Sequence, residues 1–142
     1  MIRNLIMVIA TLAFAASSRA QTPADTEAIK QTALDYIEGW YEGNAERMER
    51  ALHPELAKRI VTPKNTIKSM TAQSLVEQTR EGGGKDTPAE KQQKDVTILD
   101  VFEKAASVKV VASDWIDYMQ MGKVDGRWVI INVLWELKPK AP

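Results

Sequence analysis

The sequence predicts an α+β domain in which a helical first half packs on a mostly antiparallel sheet supplied by the second half. Three observations carry this expectation. Apolar residues recur at helical spacing from Ile29 to Val76, and from Val96 onward they alternate with a period of about two. Two long alternating runs flank Asp125-Gly126, a strong signal for a two-residue β-hairpin, because both central residues of a type I′ turn need positive φ. Finally, the chain is 44% hydrophobic and 27% charged, with formal net charge +0 and Cys 0, which fits one soluble globular domain.

Each element can be justified in order. Thr22-Pro23-Ala24-Asp25 starts a helix: Thr22 caps, Pro23 suits the first helical position, and Asp25 favours the positive end of the helix dipole, with Thr26 an alternative cap. Ile29, Ala33, Tyr36, Ile37, Trp40 and Tyr41 follow at helical spacing, and Gly43 stops the helix. Asn44 caps a second, shorter helix with Met48, Ala51 and Leu52 on its apolar side, closed by Pro54. Glu55 to Val61 fits either a short strand or another helical turn. Thr71 caps a third helix from Ala72 to Arg80, with Leu75 and Val76 inward, ended by Gly82-Gly83-Gly84. The stretch from Gly82 to Gln92 has no periodicity and reads as a mobile loop. Strands are expected over Val96–Phe102, Val108–Ala112, Trp115–Lys123 and Arg127–Lys138, the first two joined by Glu103-Lys104-Ala105-Ala106.

The first twenty residues read as a secretory signal peptide: Arg3 in a short n-region, an apolar run from Leu5 to Ala16, and small residues around a cleavage site at Ser18-Arg19-Ala20. The apolar run is too short for a membrane span, which needs about twenty residues. The expected organisation is a signal peptide over 1–20 and a single domain over 21–142, with periplasmic or secreted localisation after cleavage near Ala20. Gln21 offers no lipoprotein acceptor. Without cysteine there is no disulfide framework, thiolate zinc site or thiol nucleophile. Without a positive balance there is no electrostatic footprint for nucleic acid. His 1 and Cys 0 leave a transition-metal site to carboxylates alone, so neither metal nor other cofactor is expected. Gly82-Gly83-Gly84 is not a phosphate loop, since no Lys-Ser/Thr follows it and no strand precedes it.

Counting back from a two-residue turn at Asp125-Gly126 assigns faces to the last two strands. Met121 then opposes Ile130, Met119 opposes Asn132, Asp117 opposes Leu134 and Trp115 opposes Glu136. These, with Trp128, share one face. Val129, Ile131, Val133, Trp135 and Leu137 take the other, with Ile116, Tyr118 and Gln120. The second face is so apolar that something must cover it. With the helices assigned to the first face, the expectation is a homodimer packed through Tyr118, Ile131, Val133 and Trp135. The rival is that the helices cover this face and the mixed face is outermost. The mixed face has the make-up of a ligand pocket, apolar walls with a few polar groups. Its candidates are Trp115, Asp117, Met119, Trp128 and Asn132, joined by Tyr36 and Trp40 from the first helix; plain core packing is the competing reading.

Five stretches, taken in order, carry a family resemblance. The first is Ala33-Leu34-Asp35-Tyr36-Ile37-Glu38-Gly39-Trp40-Tyr41-Glu42-Gly43-Asn44, followed by Leu52-His53-Pro54-Glu55-Leu56-Ala57-Lys58-Arg59. After Met70 to Leu75 come Trp115-Ile116-Asp117-Tyr118 and Val124-Asp125-Gly126-Arg127-Trp128-Val129-Ile130-Ile131-Asn132-Val133-Leu134-Trp135. In this order they resemble the nuclear transport factor 2-like superfamily, and within it a bacterial branch called putative lumazine-binding. The resemblance runs from about residue 25 to 138. It implies a cone, a curved sheet wrapped round helices with a pocket between them, and the branch name implies a pterin-like ligand. Superfamily enzymes such as ketosteroid isomerase and scytalone dehydratase work from that pocket with Asp, His and Tyr. Their motifs do not match this chain residue by residue, so no role is transferred.

Three residues are candidates for chemistry. Asp117, desolvated in a pocket, suits a general base; its structural alternative is a salt bridge or a bond to a helix end. Tyr36 could donate to a developing oxyanion, or simply pack in the core. His53 carries the side-chain type suited to proton transfer, yet in Leu-His-Pro at a helix end it equally well bonds a free carbonyl. The favoured expectation is a periplasmic protein that binds a small, partly apolar molecule or serves as a dimeric accessory module, with no nucleic-acid or membrane partner. The alternative is a pocket enzyme of isomerase, hydratase or cyclase type using a carboxylate base. The first predicts polar groups with internal partners; the second predicts an unpaired carboxylate deep in the cone.

Overall fold

Each helix begins at the cap the sequence offers. The computed structural model describes residues 22–140, and the predicted signal segment lies outside the described residues. Helix α1 (Pro23–Glu42) opens with the Thr22 side chain accepting from the Asp25 backbone N–H and closes at Gly43, whose φ of 62° is left-handed. Helix α2 (Ala45–Ala51) is capped by Asn44, and α3 (Ala72–Arg80) by Thr71. A short 3-10 turn follows at Ala89–Lys91.

Six strands form one curved open sheet: β1 (Leu52–Val61), β2 (Ile67–Thr71), β3 (Lys94–Phe102), β4 (Ala105–Ala112), β5 (Trp115–Val124) and β6 (Arg127–Leu137). Their order is β2-β1-β6-β5-β4-β3; β1 runs parallel to β6 and every other pairing is antiparallel. Asp125 and Gly126 both have positive φ, at 48° and 78°, as the hairpin signal requires. The β3–β4 connection is tighter than expected, because Ala105 and Ala106 already pair with Phe102 and Val101.

Residues 52–61 resolve in favour of strand. Pro54 does not close α2, which has already ended at Ala51; it sits in the irregular first part of β1, where the pairing with β6 shifts between Leu52 and Ala57. A proline, lacking an N–H, is tolerated where the ladder is broken. Strand β2 is absent from the sequence reading because five residues on a sheet edge show little alternation. Its turn carries a signal nonetheless: Asn65 adopts φ 56°, a conformation asparagine tolerates.

The helices cover the inner face of the sheet. Ile29, Ala33, Tyr36 and Ile37 of α1 belong to one core with Val108, Val110, Met119, Met121, Ile130 and Val133. The face assignment is right for β5 and for Trp128 and Ile130. Beyond Ile130 it reverses. Met121 pairs with Ile130 as counted, but the next pair is Gln120 with Asn132, so Ile131 is an extra residue in β6. Such a bulge slips the alternation by one. Met119 therefore opposes Val133, and Asp117 opposes Trp135. Val133 and Trp135 turn inward, while Asn132 and Leu134 turn outward. Gly122 makes room for the bulge: a Cβ there would lie 2.5 Å from Ile131 Cδ1. The expected smooth face is thus divided. Tyr118 and Ile131 are on the outside of the sheet, whereas Val133 is buried in the core and Trp135 packs against it.

Asp25 ties the start of α1 to the β5–β6 hairpin. Its Oδ1 accepts from Lys123 Nζ at 2.8 Å and from Trp128 Nε1 at 2.9 Å. The hydrogen bond from Lys123, then those from Trp128 and Thr22, lower its pKa from 3.8 to about 2. A carboxyl that binds its proton less tightly in the folded state contributes stability that is complete above 3.8 and is lost as pH falls through about 2. Asp25→Asn is accordingly expected to be less stable than the parent at neutral pH, with the gap closing in strong acid. Acid denaturation of the two proteins, with NMR titration of the Asp25 carboxyl, checks both points.

Candidate functional site

A cavity of about 320 Å³ opens between α1, α3 and one end of the sheet. Helical spacing places Tyr36 and Trp40 on the same side of α1. Leu75 and Gln78 come from α3, Lys58 and Ile60 from β1, Lys68 and Met70 from β2, Trp115 from β5, and Trp135 and Leu137 from β6. The walls are mainly apolar. Trp40 and Trp115 meet edge to face, with centroids 6.2 Å apart and an interplanar angle of 84°.

The deep end is a closed polar circuit. Asp117 is 0% exposed and Lys58 is 3% exposed. Strand β6 separates β1 from β5, so the Lys58 side chain crosses it, and its ammonium lies 4.9 Å from the Trp135 ring centroid. Lys58 Nζ donates to Asp117 Oδ1 at 2.5 Å and to Tyr36 Oη at 2.5 Å. Tyr36 Oη donates in turn to Asp117 Oδ2 at 3.1 Å, and Trp115 Nε1 donates to the same oxygen at 2.6 Å. Asp117 thereby holds three side-chain donors. Burial, reinforced by the charge of Asp117, pushes the Tyr36 phenol well above 10.0. Burial also draws the Lys58 ammonium below its usual range, against the opposing pull of Asp117. The arrangement keeps Tyr36 protonated, orients it toward Asp117, and neutralises the buried carboxylate with a buried cation.

Of the residues expected at the pocket, Tyr36, Trp40 and Trp115 line the cavity, and Asp117 lies beneath them, bonded to two of them. Met119 is buried in the core and does not line it. Trp128 is buried elsewhere, against Asp25. Asn132 is a correction forced by the bulge: it faces a hollow on the outer side of the sheet and donates to Gln120 Oε1 at 3.1 Å. His53 stands at the start of β1, where its Nδ1 accepts from the Glu55 backbone N–H at 3.2 Å, and it is not part of the cavity wall. Lys58 and Trp135 were missed as pocket residues. Lys58 had a legible signal, since a strand through Leu56 and Ile60 places it between two inward positions. Trp135 had none without the bulge.

The segment after α3 is not a free loop around its glycines. The Gly84 N–H donates to Trp40 O at 2.9 Å. A Cβ on Gly84 would sit 2.6 Å from Trp40 Cδ1 and Nε1, and Gly83 adopts φ +52° against the Trp40 carbonyl. Two glycines of the triplet therefore form a shelf on which the Trp40 indole rests. Among the described residues, no group of three or more His, Cys, Asp or Glu is placed to hold a metal ion, and no helix is long and apolar enough to cross a membrane.

Comparison with known proteins agrees with this architecture. No curated protein matches the chain. A protein of unknown function from Methylobacillus flagellatus, described as NTF2-like, superposes with a TM-score of 0.70 at 21% identity, over 86% of this chain and 98% of that one. Another from Shewanella baltica gives 0.68 at 19% identity, over 84% and 99%. A Novosphingobium aromaticivorans protein described as "Putative Scytalone Dehydratase" gives 0.57 at 18% identity, over 82% and 85%. The sequence itself matches the family described as "Putative lumazine-binding" over residues 24–136. The chain belongs to that family, and its fold is the nuclear transport factor 2-like cone.

Proposed function

We propose that the protein is a periplasmic binder of a small, largely apolar molecule, released after cleavage near Ala20, and that it does not itself carry out a reaction. The supporting observation is that Asp117, the carboxylate deepest in the site, is already spent on Lys58, Tyr36 and Trp115. A general base needs an oxygen free to take a proton from substrate. A binding pocket needs apolar walls and fixed polar groups. The three tryptophans and the enclosed circuit match the second description. The enzyme reading keeps two arguments: Asp117 points inward with Tyr36 in hydrogen-bond reach, and one structural neighbour is described as "Putative Scytalone Dehydratase".

A second copy of the chain is the partner we propose for the outer sheet face. Tyr118 and Leu134 pair across β5 and β6, and both are exposed there, Leu134 by 55%. Val133 and Trp135 have no part in this surface.

Native mass spectrometry of the protein purified from its own cell envelope tests both points. A dimer carrying one discrete small mass per chain is the expected result. A chain that arrives empty, and that consumes a candidate substrate in the enolisable-ketone or hydroxyl-elimination class, would replace the binder with the enzyme.

A further inference from the structure

The cavity has a deep end and a rim, and their polar chemistry differs. At the deep end no polar group is open to an occupant. Lys58 Nζ donates to Asp117 and Tyr36, and the rest of its charge lies against the Tyr36 and Trp135 rings, 5.2 and 4.9 Å from their centroids. Trp115 Nε1 donates to Asp117. Trp135 Nε1 is buried out of reach of solvent, and Trp40 turns its indole nitrogen to the glycine shelf. What the deep end presents is therefore aromatic ring and aliphatic side chain. A polar ligand atom driven there would lose its water and gain no partner.

Strand register puts the free charge at the other end. Met70 pairs with Lys58 and Lys68 pairs with Ile60, so Lys68 stands one inward position nearer the end of the sheet. Leu137, two residues beyond the Ile60 partner Trp135, opens to solvent at the same end. Lys68 is exposed, and its ammonium has no hydrogen bond or ion pair among the described residues. Gln78, the remaining polar lining residue, has its amide nitrogen committed to Ser74. Among the described residues no Asp or Glu belongs to the lining, and Lys58 is neutralised by Asp117. The one uncompensated charge of the lining is thus the Lys68 ammonium at the rim.

We propose that the cavity takes a monoanionic amphiphile, apolar end first, its tail among Trp40, Trp115 and Trp135 and its anionic head on Lys68 at the rim. The cavity volume of about 320 Å³ sets the size. At about 30 Å³ for each water-sized group, a tail of roughly eight to ten carbons fills it. A cationic head would meet Lys68, and a polar group at the far end of the tail would meet the closed deep end. The inference rests on the binding reading and can fail separately from it.

The test is calorimetric titration of the intact protein, below micelle concentrations, with four probes of one chain length: decanoate, decanol, decyltrimethylammonium and decanedioate. Decanoate is expected to bind about two- to fivefold more tightly than decanol, the worth of one solvent-exposed ion pair, and the ammonium more weakly than either. Decanedioate must carry a carboxylate to the deep end or leave its tail outside, and is expected to bind at least about tenfold more weakly than decanoate. Lys68→Glu, at an exposed position on an edge strand, is expected to reverse the order of decanoate and the ammonium and to leave decanol nearly unchanged. Equal affinity for decanoate and decanol, or an order that the variant does not reverse, overturns the rim assignment. Equal affinity for decanoate and decanedioate overturns the orientation. If none of the four binds while protein from its own cell envelope still carries a small mass, this inference falls and the binding reading stands. If that mass is absent as well, both fall.

Discussion

Lys58→Met is expected to destabilise the fold by about 3–5 kcal/mol, the usual consequence of removing one member of a buried ion pair. The lysine stem would be replaced by a side chain of similar shape, so little packing is lost. What remains is Asp117, wholly buried, with Tyr36 and Trp115 as its only side-chain donors among the described residues. Tyr36 and Trp115 are neutral donors and cannot compensate a full charge. Asp117→Asn makes the mirror-image defect, leaving Lys58 charged and without its anion. The double variant Lys58→Met/Asp117→Asn carries no net charge into the interior, and its Asn can still accept from Trp115. It is therefore expected to be more stable than the sum of the two single losses predicts, by about 0.5–3 kcal/mol, the range for directly interacting residues. Guanidinium unfolding of the four proteins measures the cycle. Strict additivity would mean that Lys58 and Asp117 do not act as a pair.

The second large effect is expected at Gly84. Its conformation is open to any residue, so the constraint is space alone: a Cβ there meets the Trp40 indole and, at 3.0 Å, Tyr41 Cδ1. Gly84→Val should cost about 1–3 kcal/mol through overpacking and push Trp40 off its shelf into the cavity. Ligand affinity should fall with it, and the tryptophan emission should shift. Trp40→Ala removes the indole atoms that collide, Cδ1 and Nε1. Combined with Gly84→Val it should cost less than the two single losses added together, whereas a purely local loop defect would be indifferent to the residue at position 40. Thermal melts of the two singles and the double separate these cases.

Much of this fold is legible because local chemistry decides it. Thr22, Asn44 and Thr71 announce helix starts that the structure uses, and Asp125-Gly126 fixes the hairpin whose register orders the sheet. The inward direction of Asp117 followed from that register. The parts that were not legible share a physical cause. Strand pairing with β2 and the parallel contact between β1 and β6 are long-range, and nothing within either segment names its partner. The bulge at Ile131 is worse placed, because an Ile-Ile-Asn-Val run looks the same with or without an extra residue. Counting onward from the turn then carried Asn132 into the pocket and Trp135 out of it. Lys58 escaped notice for another reason: a lysine is read as surface unless its strand is already assigned, and residues 55–61 were undecided between strand and helix.

The extra residue in β6 also bears on how this protein can change over generations. Point substitutions on the inner side of β6 alter the chamber one wall position at a time. Loss of the single codon at position 131 would erase the bulge and leave every downstream pair as it is, Asn132 with Gln120 and Val133 with Met119, so Val133 and Trp135 would stay inside. The chamber's lining is therefore free to diversify among descendants, and at the bulge β6 can also shorten by one residue without turning its far half inside out.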